Sequence, residues 1–342
     1  MNFNDIIDST KLVLLVCLCL SCSSEEKPSV RTTENSVYTT DKEQIFKNGI
    51  PVHLNGVNAL NSFGIDDSAL MQDWNIKIVR EFIGNLREQP IAGNPVRDSK
   101  NQWLHPLQEI VEMHRQNGRV TILCPFGWVD STGNQQLFTG LNPSEQVFFE
   151  AYKERMKSIA NQFKGQSDVW IELWNEPYAF DNSKGYTHNL WLEDQLEMIQ
   201  NLRETGFDNI ILVPGNAQGQ SEEAILALGN QITTTFRNIV FDLHAYENWL
   251  IGTSETTIQN RIKKLKNLNF PIIFGEIGVI NASGLMQVQA FLKVANQTQT
   301  PTLAWIWKSD QNDQNALLDS QNNPNDLNNN SWGTTFFKFL TD

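Results

Sequence analysis

Residues 169–178 read VWIELWNEPY. A run of β-branched, aliphatic and aromatic side chains passes without a polar face into Asn175-Glu176-Pro177. Such an unbroken run is a strand buried on both faces, as in a parallel sheet covered by helices. The carboxylate of Glu176 then stands where the strand ends. Seven further runs of the same kind lie around it: residues 52–58 (VHLNGVN), 76–82 (IKIVREF), 120–126 (VTILCPF), 209–213 (NIILV), 239–244 (IVFDLH), 271–276 (PIIFGE) and 302–307 (TLAWIW).

Amphipathic stretches alternate with these strands. They cover residues 68–74, 104–116 (stopped by Gly118), 143–163 (opened by Asn142-Pro143), 190–205, 222–228 (capped by Ser221), 256–268, 285–295 and 334–340. Eight strands alternating with eight helices predict a single α/β domain, a (β/α)8 TIM barrel over residues 41–342. A doubly wound open sheet is the competing arrangement. No glycine-rich phosphate loop follows any strand, since Gly215-Asn-Ala-Gln-Gly219 has neither the spacing nor a Lys.

The 342 residues include 26 basic and 39 acidic side chains, a formal net charge of −13, with 40 % hydrophobic and 19 % charged. That apolar content supports a large core and excludes a disordered chain. The acid excess speaks against a nucleic-acid binder held by phosphate contacts. Ten Trp and many amide side chains suit an uncharged polyhydroxylated ligand, or equally a Trp-rich core under a solvated surface. Of the four cysteines, Cys17, Cys19 and Cys22 crowd the N-terminus and only Cys124 lies beyond, so no disulfide framework is expected.

Residues 12–20 (LVLLVCLCL) are too short to span a bilayer, which takes roughly 20 residues, but suit the centre of a signal peptide. The run ends in Leu20-Ser21-Cys22, followed by Ser23-Ser24-Glu25-Glu26. This resembles a bacterial lipoprotein signal, with Cys22 as the lipid-bearing first residue of the mature protein; an ordinary cleaved signal is the alternative. Cys19 departs from the usual Leu, and Asp5 and Asp8 accompany Lys11. The expected organisation is a signal over 1–21, a Ser/Thr/Glu-rich tether over 22–40 and the barrel domain over 41–342. The chain is then exported, and either anchored to the outer membrane through its lipid or secreted.

A second strand, Pro271-Ile-Ile-Phe-Gly-Glu276, also ends in a carboxylate. On strands four and seven of a barrel, Glu176 and Glu276 can face one bound bond at the mouth, where such barrels carry their chemistry. Two carboxylates are the minimal equipment for glycosidic cleavage. One holds a proton for the leaving oxygen; the other, ionised, stabilises or attacks the sugar carbon. Asn-Glu-Pro by itself would equally suit the first turn of a helix.

From about residue 52 to residue 340 the chain resembles glycoside hydrolase family five, the cellulase and mannanase family. The strand-four block fits that family's signature through Asn175-Glu176-Pro177. The resemblance implies a retaining hydrolase of β-1,4-linked polysaccharide, glucan or mannan, needing no cofactor or metal and expected to act as a monomer. Glu176 resembles the acid/base and Glu276 the nucleophile. Asn175 would bond the sugar hydroxyl next to the reacting carbon, and Arg80 would keep the nucleophile ionised. His244 and Tyr246 resemble the pair around the two glutamates, and Trp307 the platform beneath the sugar.

Strand three in many cellulases of this family ends in Asp-x-His; here it ends Leu123-Cys-Pro-Phe-Gly-Trp128, without the His. Trp128 is either a sugar plate or a structural loop aromatic, and Cys124 a packed core thiol. His53, His105, His114 and His188 show no metal-ligand spacing. Arg87, Trp103 and Trp249 line subsites or serve structure. The Asn/Asp-rich loop 309–330 is read as a solvated loop, with sugar or Ca²⁺ contacts as alternatives. A non-catalytic glycan-binding lipoprotein would keep Trp plates but has no use for both glutamates with Arg80 and Tyr246; a transglycosylase would use the same residues.

Overall fold

The computed structural model describes residues 37–64, 68–309, 313–326 and 331–342. Eight parallel strands close into a barrel. They are β1 (Gly56–Ala59), β2 (Ile78–Ile83), β3 (Val120–Pro125), β4 (Val169–Glu172), β5 (Ile211–Pro214), β6 (Ile239–Ala245), β7 (Ile272–Ile277) and β8 (Thr302–Ala304). Each lies within or across an expected run, and closure removes the open-sheet alternative. Among the described residues no helix is long and apolar enough to cross a membrane.

Strand alternation layers the interior. Ile78, Ile122, Trp170, Leu212, Val240, Ile273 and Leu303, one from each of β2 to β8, form one buried apolar cluster. Two residues further along, the same faces carry Arg80, Cys124, Glu172, Asp242 and Gly275. A polar layer therefore sits on an apolar one, towards the strand ends. At Gly275 a Cβ would come within 2.4 Å of an Asp242 carboxylate oxygen, so glycine leaves room for that buried charge.

Below the apolar layer, an antiparallel sheet of Tyr38–Asp41, Gln44–Lys47 and Ile50–Pro51 closes the floor. Tyr38 stands edge-on to Trp170, with ring centroids 5.8 Å apart. This corrects the end of the expected tether: residues 38–40 already belong to a strand. The expected signal peptide over 1–21, the expected lipid-bearing Cys22 and the rest of the expected tether up to residue 36 lie outside the described residues.

Two helices differ from their sequence reading. The stretch 143–163 is a 3-10 turn, Pro143–Glu145, and a separate helix, Phe149–Phe163. Gln146 between them is extended, and the Asn142 side chain bonds Glu145 and the Lys184 carbonyl instead of capping. The helix expected over 222–228 runs as Glu223–Thr235, past Gly229; a Cβ there would lie 3.0 Å from Phe241 and 3.3 Å from Phe270, so the glycine lets helix and sheet approach.

Candidate active site

Arg80 organises the mouth of the barrel. It is 1 % exposed, and the β1–β2 register sets Asn58 beside it. Nε and Nη2 grip Glu172 at 2.6 and 2.9 Å. Nη1 reaches Asn58 Oδ1 at 2.8 Å and Glu276 Oε1 at 2.7 Å, and Nη2 also donates to Asn175 Oδ1 at 2.7 Å. Asn58 Nδ2 donates to the carbonyls of Gly275 and Ala304, which ties the hub to β7 and the end of β8.

Glu276 and Glu176 are held from both sides. Tyr246 Oη donates to Glu276 Oε2 at 2.9 Å. His244 Nδ1 faces Glu176 Oε1 at 2.9 Å and Glu276 Oε2 at 3.7 Å, from a bulged register that aligns His244 with Glu276. Thr139 Oγ1 donates to Glu176 Oε2 at 3.0 Å. An oxygen of Glu176 and one of Glu276 lie within 4.8 Å of each other. Glu176 keeps 15 % of its side chain exposed and Glu276 only 4 %. The former is therefore the carboxyl that meets solvent.

Charge follows this packing. Burial raises the pKa of Glu276; His244 and Arg80 pull it back, the Glu176 charge adds to the rise, and the net direction is up. Burial likewise pushes Glu172 up to about 7, with Arg80 opposing and Asp242 reinforcing. Burial alone would lower His244, but Glu276, Asp242 and Glu176 outweigh it and hold the imidazole well above its ordinary value. Burial and Glu276 raise Tyr246, so its hydroxyl remains a donor. Burial also raises Cys124, which stays a thiol against Asn175 at 3.9 Å.

The structure thus brings Arg80, Asn175, His244, Tyr246, Glu176 and Glu276 together. Asn175 Nδ2 is buried without a protein hydrogen-bond partner, while its Oδ1 is fixed by Arg80. Two expectations are corrected. Trp307 is fully buried, edge-on to Trp74 at 5.1 Å, and leaves no face for a sugar. Trp128 is buried too, stacked on Phe148 at 5.3 Å. Only Trp103 and Trp305 of the ten Trp are not buried. Trp305 stacks on Phe126 at 5.4 Å, and its backbone N–H donates to the Ile277 carbonyl, next to Glu276.

Glu172, Asp242, Trp305 and Thr139 were missed in the sequence. A lone acid inside VWIELW and IVFDLH was the available signal for the first two. Two sets of potential metal ligands occur among the described residues, Glu172/Asp242/His244 and Glu176/His244/Glu276. In both, Arg80 or Tyr246 already pairs a carboxylate. Arg87 donates to the Val129 carbonyl, and Trp249 is buried under the Arg261 guanidinium, so both brace loops. His114 is buried against Glu81 at 2.6 Å. In loop 309–330, Asn315 accepts from Val279 N and Ile280 N, pinning the described part of the loop to the segment after Glu276.

The chain matches the family model for Cellulase (glycosyl hydrolase family 5) over residues 45–311. The chain belongs to glycosyl hydrolase family 5. Relatives of this family 5 chain include a mannan endo-1,4-beta-mannosidase of Cellvibrio japonicus (strain Ueda107), 27 % identical over 166 residues, covering 47 % of this chain and 36 % of that protein. Another, from Salipaludibacillus agaradhaerens, is 23 % identical over 214 residues, 60 % of this chain and 63 % of its own length. The chain therefore spans less than two thirds of these relatives. The solved beta-mannanase of Thermomonospora fusca shares the fold with a TM-score of 0.67 at 18 % identity, over 90 % of this chain and 97 % of that one.

Proposed function

We propose that this family 5 chain is an endo-acting β-1,4-mannanase that hydrolyses with retention. The observation that carries the reading is the pair of strand-end carboxylates, with oxygens within 4.8 Å. Retaining enzymes hold their carboxyl groups roughly 5–5.5 Å apart, whereas inverting ones need space for a water. Mannan is favoured over glucan because both relatives described above carry a mannan endo-1,4-beta-mannosidase name.

The chemistry follows from the hydrogen bonds. A Glu276 oxygen attacks the anomeric carbon, the carbon–oxygen bond to the leaving chain breaks, and Glu176 gives its proton to the leaving oxygen. Water then attacks the same carbon, Glu176 takes the water's proton, and the bond to Glu276 breaks. Arg80 and Tyr246 each hold one oxygen of the nucleophile and orient it for attack. The unpartnered Asn175 amide beside Glu176 is read as the donor to a sugar hydroxyl, and half-buried Trp305 as an apolar face.

Reducing-sugar release from mannan, β-glucan and xylan, with product length followed over time, tests the proposal. Mannan should be cut internally. Release of monosaccharide alone would overturn the endo reading, and preference for glucan would move the substrate. We also propose that Cys22 is lipidated and tethers an otherwise monomeric domain to the outer membrane. Cys22→Ala should shift the protein from the membrane to the soluble fraction with its activity intact.

A further inference from the structure

Residues 138–141 run beside the catalytic turn as a short parallel strap. Glu176 N donates to the Phe138 carbonyl at 3.3 Å, Gly140 N to the Glu176 carbonyl at 2.7 Å and Tyr178 N to the Leu141 carbonyl at 2.8 Å. Trp174 Nε1 adds a bond to Phe138 O at 2.9 Å. Gly140 has φ +70°, a left-handed conformation that glycine takes without strain, and a Cβ on it would press to 3.0 Å from Gln218 Nε2. In that register Thr139 lies opposite Glu176, and its hydroxyl donates to Oε2.

We propose that Thr139 is a positioning residue for the acid/base, fixing Glu176 Oε2 as the oxygen that delivers and recovers the proton. The role rests on the retaining-glycosidase reading. Glu176 must be protonated and ionised once each per turnover, and its two oxygens have different partners. His244 Nδ1 faces Oε1 at 2.9 Å, and against burial the carboxylates around the imidazole raise its pKa, which favours the form that donates from Nδ1 to Oε1. That leaves Oε2 to carry the proton. A hydroxyl suits Oε2 because it can donate to the carboxylate while Glu176 is ionised and rotate its proton away when Oε2 carries one for the leaving oxygen. Neither a methyl nor an ammonium could do both.

The test compares Thr139→Val, which keeps the shape without the hydroxyl, with Thr139→Ser, which keeps the hydroxyl. Both are assayed on the polysaccharide that the wild type cleaves, and on phenyl and 2,4-dinitrophenyl glycosides of its disaccharide. Dinitrophenolate leaves without a proton, so kcat/KM for that substrate should stay at the wild-type value in Thr139→Val. On polysaccharide and phenyl glycoside it should fall roughly 10- to 100-fold through kcat, the value of one hydrogen bond to a charged group. Thr139→Ser should restore most of the loss, and both variants should melt with the wild type. Equal losses on all substrates, a Ser variant as poor as Val, or an unimpaired Val variant would each overturn the role. Wild-type inactivity on mannan, glucan and xylan would overturn the glycosidase reading instead, and this role with it.

Discussion

Arg80 Nη1 stands 2.7 Å from Oε1 of Glu276, yet the same guanidinium gives Nε and Nη2 to Glu172. One buried cation serves two buried carboxylates. Burial pushes Glu172 up to about 7 and raises Glu276, the proposed nucleophile, above its ordinary value, with Arg80 opposing the rise in both. The charge of Glu276 thus depends on burial on one side and on His244 and Arg80 on the other.

Weakening Arg80 should tilt that balance in a definite direction. Burial favours the neutral acid, and Arg80 opposes it, so Arg80→Lys, with fewer donors at a longer reach, should raise the Glu276 pKa further. A higher pKa keeps the nucleophile protonated to higher pH. The acid limb of the kcat/KM profile should move up, and the loss should be greatest on the acid side. A uniform loss at all pH values would mean that Arg80 acts through geometry alone.

Tyr246→Phe removes the donor on Glu276 Oε2 and keeps the ring. Because Tyr246 is only 4 % exposed, no water can replace the hydroxyl easily. Turnover should fall roughly 10- to 100-fold, the worth of a hydrogen bond to a charged group. KM should hold, since the phenol touches the nucleophile and not the remote sugars. A variant that loses affinity and keeps kcat would place Tyr246 in substrate binding.

Trp305 and Trp307 should separate binding from stability. Trp305→Ala should weaken polysaccharide binding by roughly 30-fold, the scale of an aromatic contact worth about 2 kcal/mol, with little change in melting temperature. Trp307→Phe should cost about 1–3 kcal/mol of stability by opening a cavity beside Trp74 and leave kcat/KM unchanged. Calorimetry and oligosaccharide titration on the two variants check the assignment; the reverse pattern would restore Trp307 as the platform.

That pair also shows where sequence reading stops. The barrel was legible because strands covered by helices read as apolar runs, and the two proposed catalytic acids because each interrupts an apolar run near a strand end. Trp305 and Trp307 share one run, and strict alternation would put them on one face. The chain leaves the ladder after Ala304, however, and alternation lapses there. Trp128 sits on a two-stranded ribbon, Gly127–Val129 with Gln135–Leu137, whose packing against Phe148 has no local signal. Glu172 and Asp242 were visible only as acids inside apolar strands. Their meaning depends on which residues the register stacks against Arg80. Thr139 is silent in sequence, since only the parallel strap brings it to Glu176.

The two glutamates should behave differently once removed. Glu276→Ala leaves no attacking oxygen, so turnover should vanish on every substrate. Azide entering the vacated space attacks the face that Glu276 used, and the product is then the inverted glycosyl azide. Glu176→Ala keeps the nucleophile, so substrates with good leaving groups should still form the glycosyl-enzyme, which then accumulates for lack of a base. Azide needs no base; it should release that intermediate as the retained azide. Proton NMR of the azide products distinguishes the two. If Glu176→Ala gives the inverted azide, the roles of Glu176 and Glu276 are exchanged. If the wild type itself releases the inverted sugar first, the short carboxylate separation does not support a covalent intermediate and the retaining mechanism falls.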